Sequence, residues 1–173
     1  MRVKKLVFMA LLTTIALVIF MVEAQIPSPV PIPGVKLGLA NIVTVYAIFT
    51  LGPLPTLAIL GCRIFLGSLF SGQVVSLMYS LGGGLLCYCA MLFMRKLTTV
   101  KQIWVCSVVG AVFHNIGQVA VAIIIMQTPG LIAYLPFLLV SGIAAGVFTG
   151  LCAQYVVRRL SGKGMPDYRG KNI

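Results

Sequence analysis

Long apolar runs, separated by short joints rich in proline, glycine or basic residues, organise this chain from end to end. Crossing a bilayer takes about 20 apolar residues, because the hydrocarbon core is about 30 Å thick and a helix rises about 1.5 Å per residue. Six runs meet that length, over about 6–24, 35–51, 54–70, 74–94, 103–126 and 131–157. The joints are QIPSPVPIPG, Gly52-Pro53, a short turn near Gly72, the basic stretch around Arg95 to Lys101, and QTPG. The pattern predicts an all-α membrane protein of six transmembrane helices. They form one transmembrane domain over 1–160, followed by a short basic tail, 161–173, that frays at the surface.

Composition makes the solvent unambiguous. Of 173 residues, 60% are hydrophobic and 9% charged, with a mean hydropathy of +1.10. A soluble domain carries about 25% charged residues. The net charge of +11 is a topology signal rather than a nucleic-acid one. Basic residues gather before the first run (Arg2, Lys4, Lys5), in the central loop (Arg95, Lys96, Lys101) and in the tail (Arg158, Arg159, Lys163, Arg169, Lys171). Short basic segments mark the cytoplasmic side, so both termini are expected there, with only Lys36 in an outer loop. MRVKK, an apolar run and Val22-Glu23-Ala24 imitate a cleavable signal peptide. The run exceeds the 7–15 residues of a signal core, so it is expected to stay as the first helix.

The chain excludes several chemistries. Cys62, Cys87, Cys89, Cys106 and Cys152 all lie in apolar runs, and on a helix Cys87 and Cys89 point about 200° apart. They are expected to be buried thiols rather than metal ligands. There is no GxxxxGK[ST] loop for nucleotide phosphates, no HExxH and no acidic pair for Mg²⁺-bound diphosphate. No catalytic residue, metal or cofactor is therefore expected of this chain alone.

Polar residues are rare enough inside the runs to stand out. FHNIGQ places His114, Asn115 and Gln118 midway along the fifth helix. His114 and Gln118 are four apart and share a face; Ser107, Gly110, Gly117 and Val121 fall within about 60° of it, and Asn115 about 100° away. Such groups either glue helices together or line a cavity. Arg63 sits mid-way along the third helix, where an arginine costs about 2.5–3.5 kcal/mol and keeps its charge. Only two acids exist, Glu23 and Asp167, and Asp167 lies in the tail, so Arg63 either pairs with Glu23 or awaits an acid or phosphate from outside the chain. Asn41 and Thr44 on the second helix, and Tyr79, Ser80 and Gly82-Gly83-Gly84 on the fourth, add polar groups and close backbone approach. The expected substrate-binding set is Arg63, His114, Gln118, Asn41, Asn115, Glu23 and Tyr79. The proline-rich loop with Pro27, Pro29, Pro31 and Pro33 is stiff and suits a lid over an outward-opening cavity.

VEAQIPSPVPIPGVKLGLANIVTVYAIFTLGP, RIFLGSLFSG, SLGGGL and FHNIGQVAVA, in that order, resemble the Gx transporter family, also labelled heptaprenyl diphosphate synthase component I. The resemblance covers about 10–160. That family is similar to the S components of energy-coupling-factor importers. These are six-helix proteins of bacterial-type cell membranes that capture a solute from outside and work with a transmembrane coupling subunit and cytosolic ATPases. The resemblance implies an S-component-like bundle, a gate at the proline-rich loop, a pocket containing Asn41, Arg63, His114 and Gln118, and a coupling contact at Ala10 and Thr14. The expected function is a substrate-binding subunit for uptake of a small polar or anionic solute. The alternative is a non-catalytic membrane accessory subunit, partnered with a prenyl synthase, in polyprenyl diphosphate or quinone synthesis or electron export. Synthases of that kind use DDxxD motifs, and this chain has none.

Overall fold

A computed structural model describes residues 2–25, 36, 38–72 and 74–161. The prolines expected to form the gate, and most of the basic tail, lie outside the described residues. Six α-helices occur among the described residues: α1 Arg2–Ala24, α2 Asn41–Thr50, α3 Pro53–Ser71, α4 Val74–Leu97, α5 Ile103–Met126 and α6 Leu135–Ser161. Five are long and apolar enough to cross a membrane.

The second helix departs from the sequence expectation. A span over 35–51 was expected, whereas α2 has ten residues, about 15 Å at 1.5 Å per residue, or half a hydrocarbon core. Gly38 interrupts the run with φ +83°, a backbone region that side chains with a Cβ rarely adopt. The apolar pattern alone shows no such break, because Lys36-Leu-Gly-Leu-Ala still reads as hydrophobic. What remains of the run, NIVTVYAIFT, carries no charge and is mostly apolar, as suits a buried helix. Eight of its ten residues are buried, and every other long helix touches it. It is the axis of the bundle. Its Asn41 end lies beside His114, halfway along α5.

Local signals end the helices as their residue types require. Gly52, at φ +90°, separates α2 from α3, and Pro53 supplies a pre-set φ at the first position of α3. Gly72 closes α3 in the left-handed conformation. Thr99 and Gln102 form a capping box on the short 3₁₀ turn that leads into α5. The outer surface carries large apolar side chains, Phe65, Phe93, Phe137, Val140 and Phe148 among them. On a protein surrounded by water such coverage would be an aggregation liability, but facing lipid it is the expected boundary. The chain is a multi-pass helical membrane protein.

α5 packs along its length on α4 and α6, and glycines set that contact. A β-carbon on Gly117 would stand 2.6 Å from the Gly82 carbonyl oxygen and 2.9 Å from the Gly83 α-carbon. Both neighbours are backbone and cannot move aside, so Gly117→Ala must separate the two helices. We expect it to cost about 1–3 kcal/mol, read as a lower melting temperature in detergent. Gly61→Ala, with nothing within 4 Å of its β-carbon, is the control and is expected to be neutral or slightly stabilising.

Candidate functional site

The shortened second helix leaves an elbow of non-helical backbone at Gly38. Non-helical backbone is tolerated at membrane depth only where it is enclosed by protein or lines a cavity, and its polar groups still need partners. At Gly38 the partner is the only acid of the described chain. Glu23, at the end of α1, accepts a hydrogen bond from the Gly38 N–H at 2.5 Å. The first turn of α2 closes on itself: Asn41, Ile42 and Val43 donate their N–H groups to the carbonyls of Gly38, Leu39 and Ala40.

Around this elbow the polar residues gather. A β-carbon on Gly38 would lie 2.9 Å from Asn41 Nδ2 and 3.0 Å from His114 Cδ2. One on Gly83 of α4 would lie 2.8 Å from Gln118 Cγ and 2.9 Å from His114 Nδ1. Asn41, His114 and Gln118 thus form one wall against two glycines. Arg63 is electrostatically coupled to both Glu23 and His114. All five are nearly inaccessible: Glu23 4%, Asn41 3%, Arg63 4%, His114 3% and Gln118 1% exposed.

The wall's hydrogen bonds are unfinished. Asn41 Nδ2 and Oδ1, Arg63 Nε and Nη2, His114 Nδ1 and Gln118 Oε1 are buried with no hydrogen-bond partner. Leaving a buried polar atom unsatisfied costs about 1–3 kcal/mol, and more for a charged group. Native interiors hold only a few such atoms. These atoms come from α2, α3 and α5 and leave the wall incompletely hydrogen-bonded. Glu23 does not complete it, since the Arg63 Nε–Nη2 edge has no partner even though the two charges feel each other.

Other expected site residues go elsewhere. Asn115 donates from Nδ2 to the Leu138 carbonyl of α6 at 2.5 Å. It faces α6 rather than the wall, as its 100° offset from His114 dictates. Tyr79 is fully buried among Val119, Ala122 and Leu138, with its hydroxyl unpartnered. The face shared by Ser107, Gly110, Gly117 and Val121 is divided. Ser107 bonds Thr149 of α6 at 3.1 Å, whereas the other three meet α4. Ala10 and Thr14 are exposed on the outer side of α1, where the Thr14 hydroxyl donates to the Ala10 carbonyl.

Sequence reasoning missed Gly38 and underrated Lys36. Lys36 is half-buried; its ammonium stands 3.3 Å from the centroid of the Phe20 ring, a cation–π distance. Phe20 in turn packs under Gly67 of α3. The available signal was that Lys36 is the one basic residue expected outside. Burial pushes the Lys36 ammonium down from 10.5 to about 8; Glu23 opposes that shift and Arg63 adds to it. The folded protein therefore bears the cost of the charged form below about pH 8. As pH rises from about 8 to 10.5 it sheds the proton before the unfolded chain does, so stability rises with pH across that window. Melting temperatures measured over the window should climb in the wild type relative to Lys36→Met, which lacks the group.

A separate apolar groove of about 320 Å³ runs between α1, α2 and α6. Phe8, Leu12, Ile15, Tyr46, Ala153 and Val156 line it.

Fold and site together define the class: a polytopic helical membrane protein enclosing an incompletely hydrogen-bonded polar wall at a broken helix. The family model described as heptaprenyl diphosphate synthase component I matches residues 12–156. The chain belongs to that family. Comparison with curated proteins and with solved structures gives no match.

Proposed function

We propose that this chain is a membrane-embedded binding subunit that receives a small polar or anionic solute at the wall of Asn41, Arg63, His114 and Gln118. The observation that carries this reading is the group of buried, unpartnered polar atoms on that wall. A ligand that hydrogen-bonds there recovers free energy the empty protein forgoes. The basic residues at the Lys4, Arg95 and Arg158 end of the bundle favour a cytoplasmic placement of both termini. Entry is then from the opposite side, past Glu23 and Lys36. The chain has no nucleotide-binding loop, so uptake in this reading draws on a coupling subunit and cytosolic ATPases. The exposed Ala10–Thr14 face of α1 is the small-residue surface offered to the coupling subunit.

A second reading follows from the family's description and the apolar groove. In it the chain is a non-catalytic accessory subunit of a prenyl diphosphate synthase, and an isoprenoid chain lies between α1, α2 and α6. Mass spectrometry of the complex gently extracted from its native membrane separates the two. Co-purifying ATPases, a coupling subunit and a small polar solute are the outcome expected for uptake. A prenyl synthase or an isoprenoid in their place would overturn it and support the accessory role.

A further inference from the structure

The unpartnered atoms describe the ligand they lack. On a guanidinium, Nε and Nη2 are the two nitrogens whose N–H bonds run parallel along one edge, and that edge matches the two oxygens of a carboxylate. In Arg63 both nitrogens of that edge are buried without a partner. Asn41 Oδ1 and Gln118 Oε1 are acceptors still waiting for donors. We propose that the ligand is a small monocarboxylate that also carries N–H donors, its carboxylate seated side-on on Arg63 and its N–H groups directed at Asn41 and Gln118. This rests on the binding-subunit reading and names the substrate class for it.

Charge and backbone geometry argue against the other anions. Lys36 and Arg63 supply two positive charges and Glu23 one negative, leaving a single positive charge to neutralise. A phosphate monoester brings about −1.5 to −2 near neutrality, and a diphosphate more. Phosphate sites also rely on free backbone N–H groups at a helix start, and here the first three N–H groups of α2 are already bonded to Gly38, Leu39 and Ala40. A planar, singly charged, two-oxygen group fits what remains. Asn41 has both amide atoms unmet, so either orientation of its side chain offers one donor and one acceptor to a ligand with mixed polarity.

The test uses the full-length protein in lipid nanodiscs. It is screened by thermal shift and calorimetry against α-amino, amido and ureido acids, each paired with its methyl ester and primary amide, with inorganic phosphate and diphosphate alongside. Native mass spectrometry of the membrane-extracted protein identifies any molecule already bound. At least one acid is expected to stabilise the wild type, with its ester and amide binding at least tenfold more weakly. Arg63→Lys keeps the charge but loses the two-pronged edge, and should weaken that acid at least tenfold while leaving the melting temperature of the empty protein within a few degrees. Asn41→Leu should narrow the difference between the acid and an analogue lacking N–H groups. Binding of phosphates alone, equal binding of acid, ester and amide, or a co-purified molecule without a carboxylate would overturn the carboxylate assignment and leave the binding role intact. No bound molecule in either experiment would overturn both.

Discussion

Arg63→Leu is expected to make the empty protein more stable and, at the same time, unable to hold its solute. A buried cation with two unsatisfied nitrogens is a standing cost. Its removal does not strand Glu23, because that carboxylate keeps the Gly38 N–H and the nearby Lys36 charge. A buried polar atom left unsatisfied costs about 1–3 kcal/mol, and more on a charged group, and we expect a gain of that order. Melting temperature without ligand, and solute retention through purification, measure the two effects separately. Opposite signs are the mark of a residue kept for binding at the expense of stability. If stability and retention were both unchanged, Arg63 would have no place in the site.

Glu23→Gln should do the reverse to the empty protein. The amide oxygen can still accept from the Gly38 N–H, so the elbow keeps its hydrogen bond and only the charge is lost. Arg63 and Lys36 then repel each other with no anion between them. Charges coupled in one network without a direct pair are worth about 0.5–3 kcal/mol, and a loss of that order is expected, read as a lower melting temperature. The double variant Glu23→Gln/Arg63→Leu should recover much of it. The departure from additivity, of order 0.5–3 kcal/mol for groups in one network, measures the coupling between the two charges directly. An additive result would show that Glu23 serves the Gly38 N–H alone. An anionic ligand should also restore the single variant's stability more than it raises that of the wild type, because it supplies the missing negative charge.

Arg63, His114, Gln118, Asn41 and Glu23 were all legible as suspects, because a polar group in a hydrocarbon-length run is expensive wherever it lies. Wheel angles went one step further and separated Asn115 from His114, which the structure repeats by turning Asn115 to Leu138 of α6. They did not predict that Ser107 would turn to α6 while Gly110 and Gly117 meet α4. A wheel gives directions about one axis and no information on which neighbour stands in each direction. The second helix was misjudged for a related reason. Hydropathy averages over about twenty residues, and one glycine at φ +83° ends a helix without lowering that average.

What the sequence determined by itself is the solvent, the number of apolar segments, and the short list of polar residues that are expensive inside a hydrocarbon-length run. Those properties are local or additive: each depends on residue type and on counting along the chain. The tertiary structure alone decided that the second segment is a half-length axis, that Glu23 closes the break at Gly38, and that Lys36 lies over Phe20 beside them. It alone showed that Arg63 Nε and Nη2 are buried without partners. These are pairings between residues far apart in the chain, made where low dielectric leaves each polar atom dependent on the one neighbour that packing brings to it.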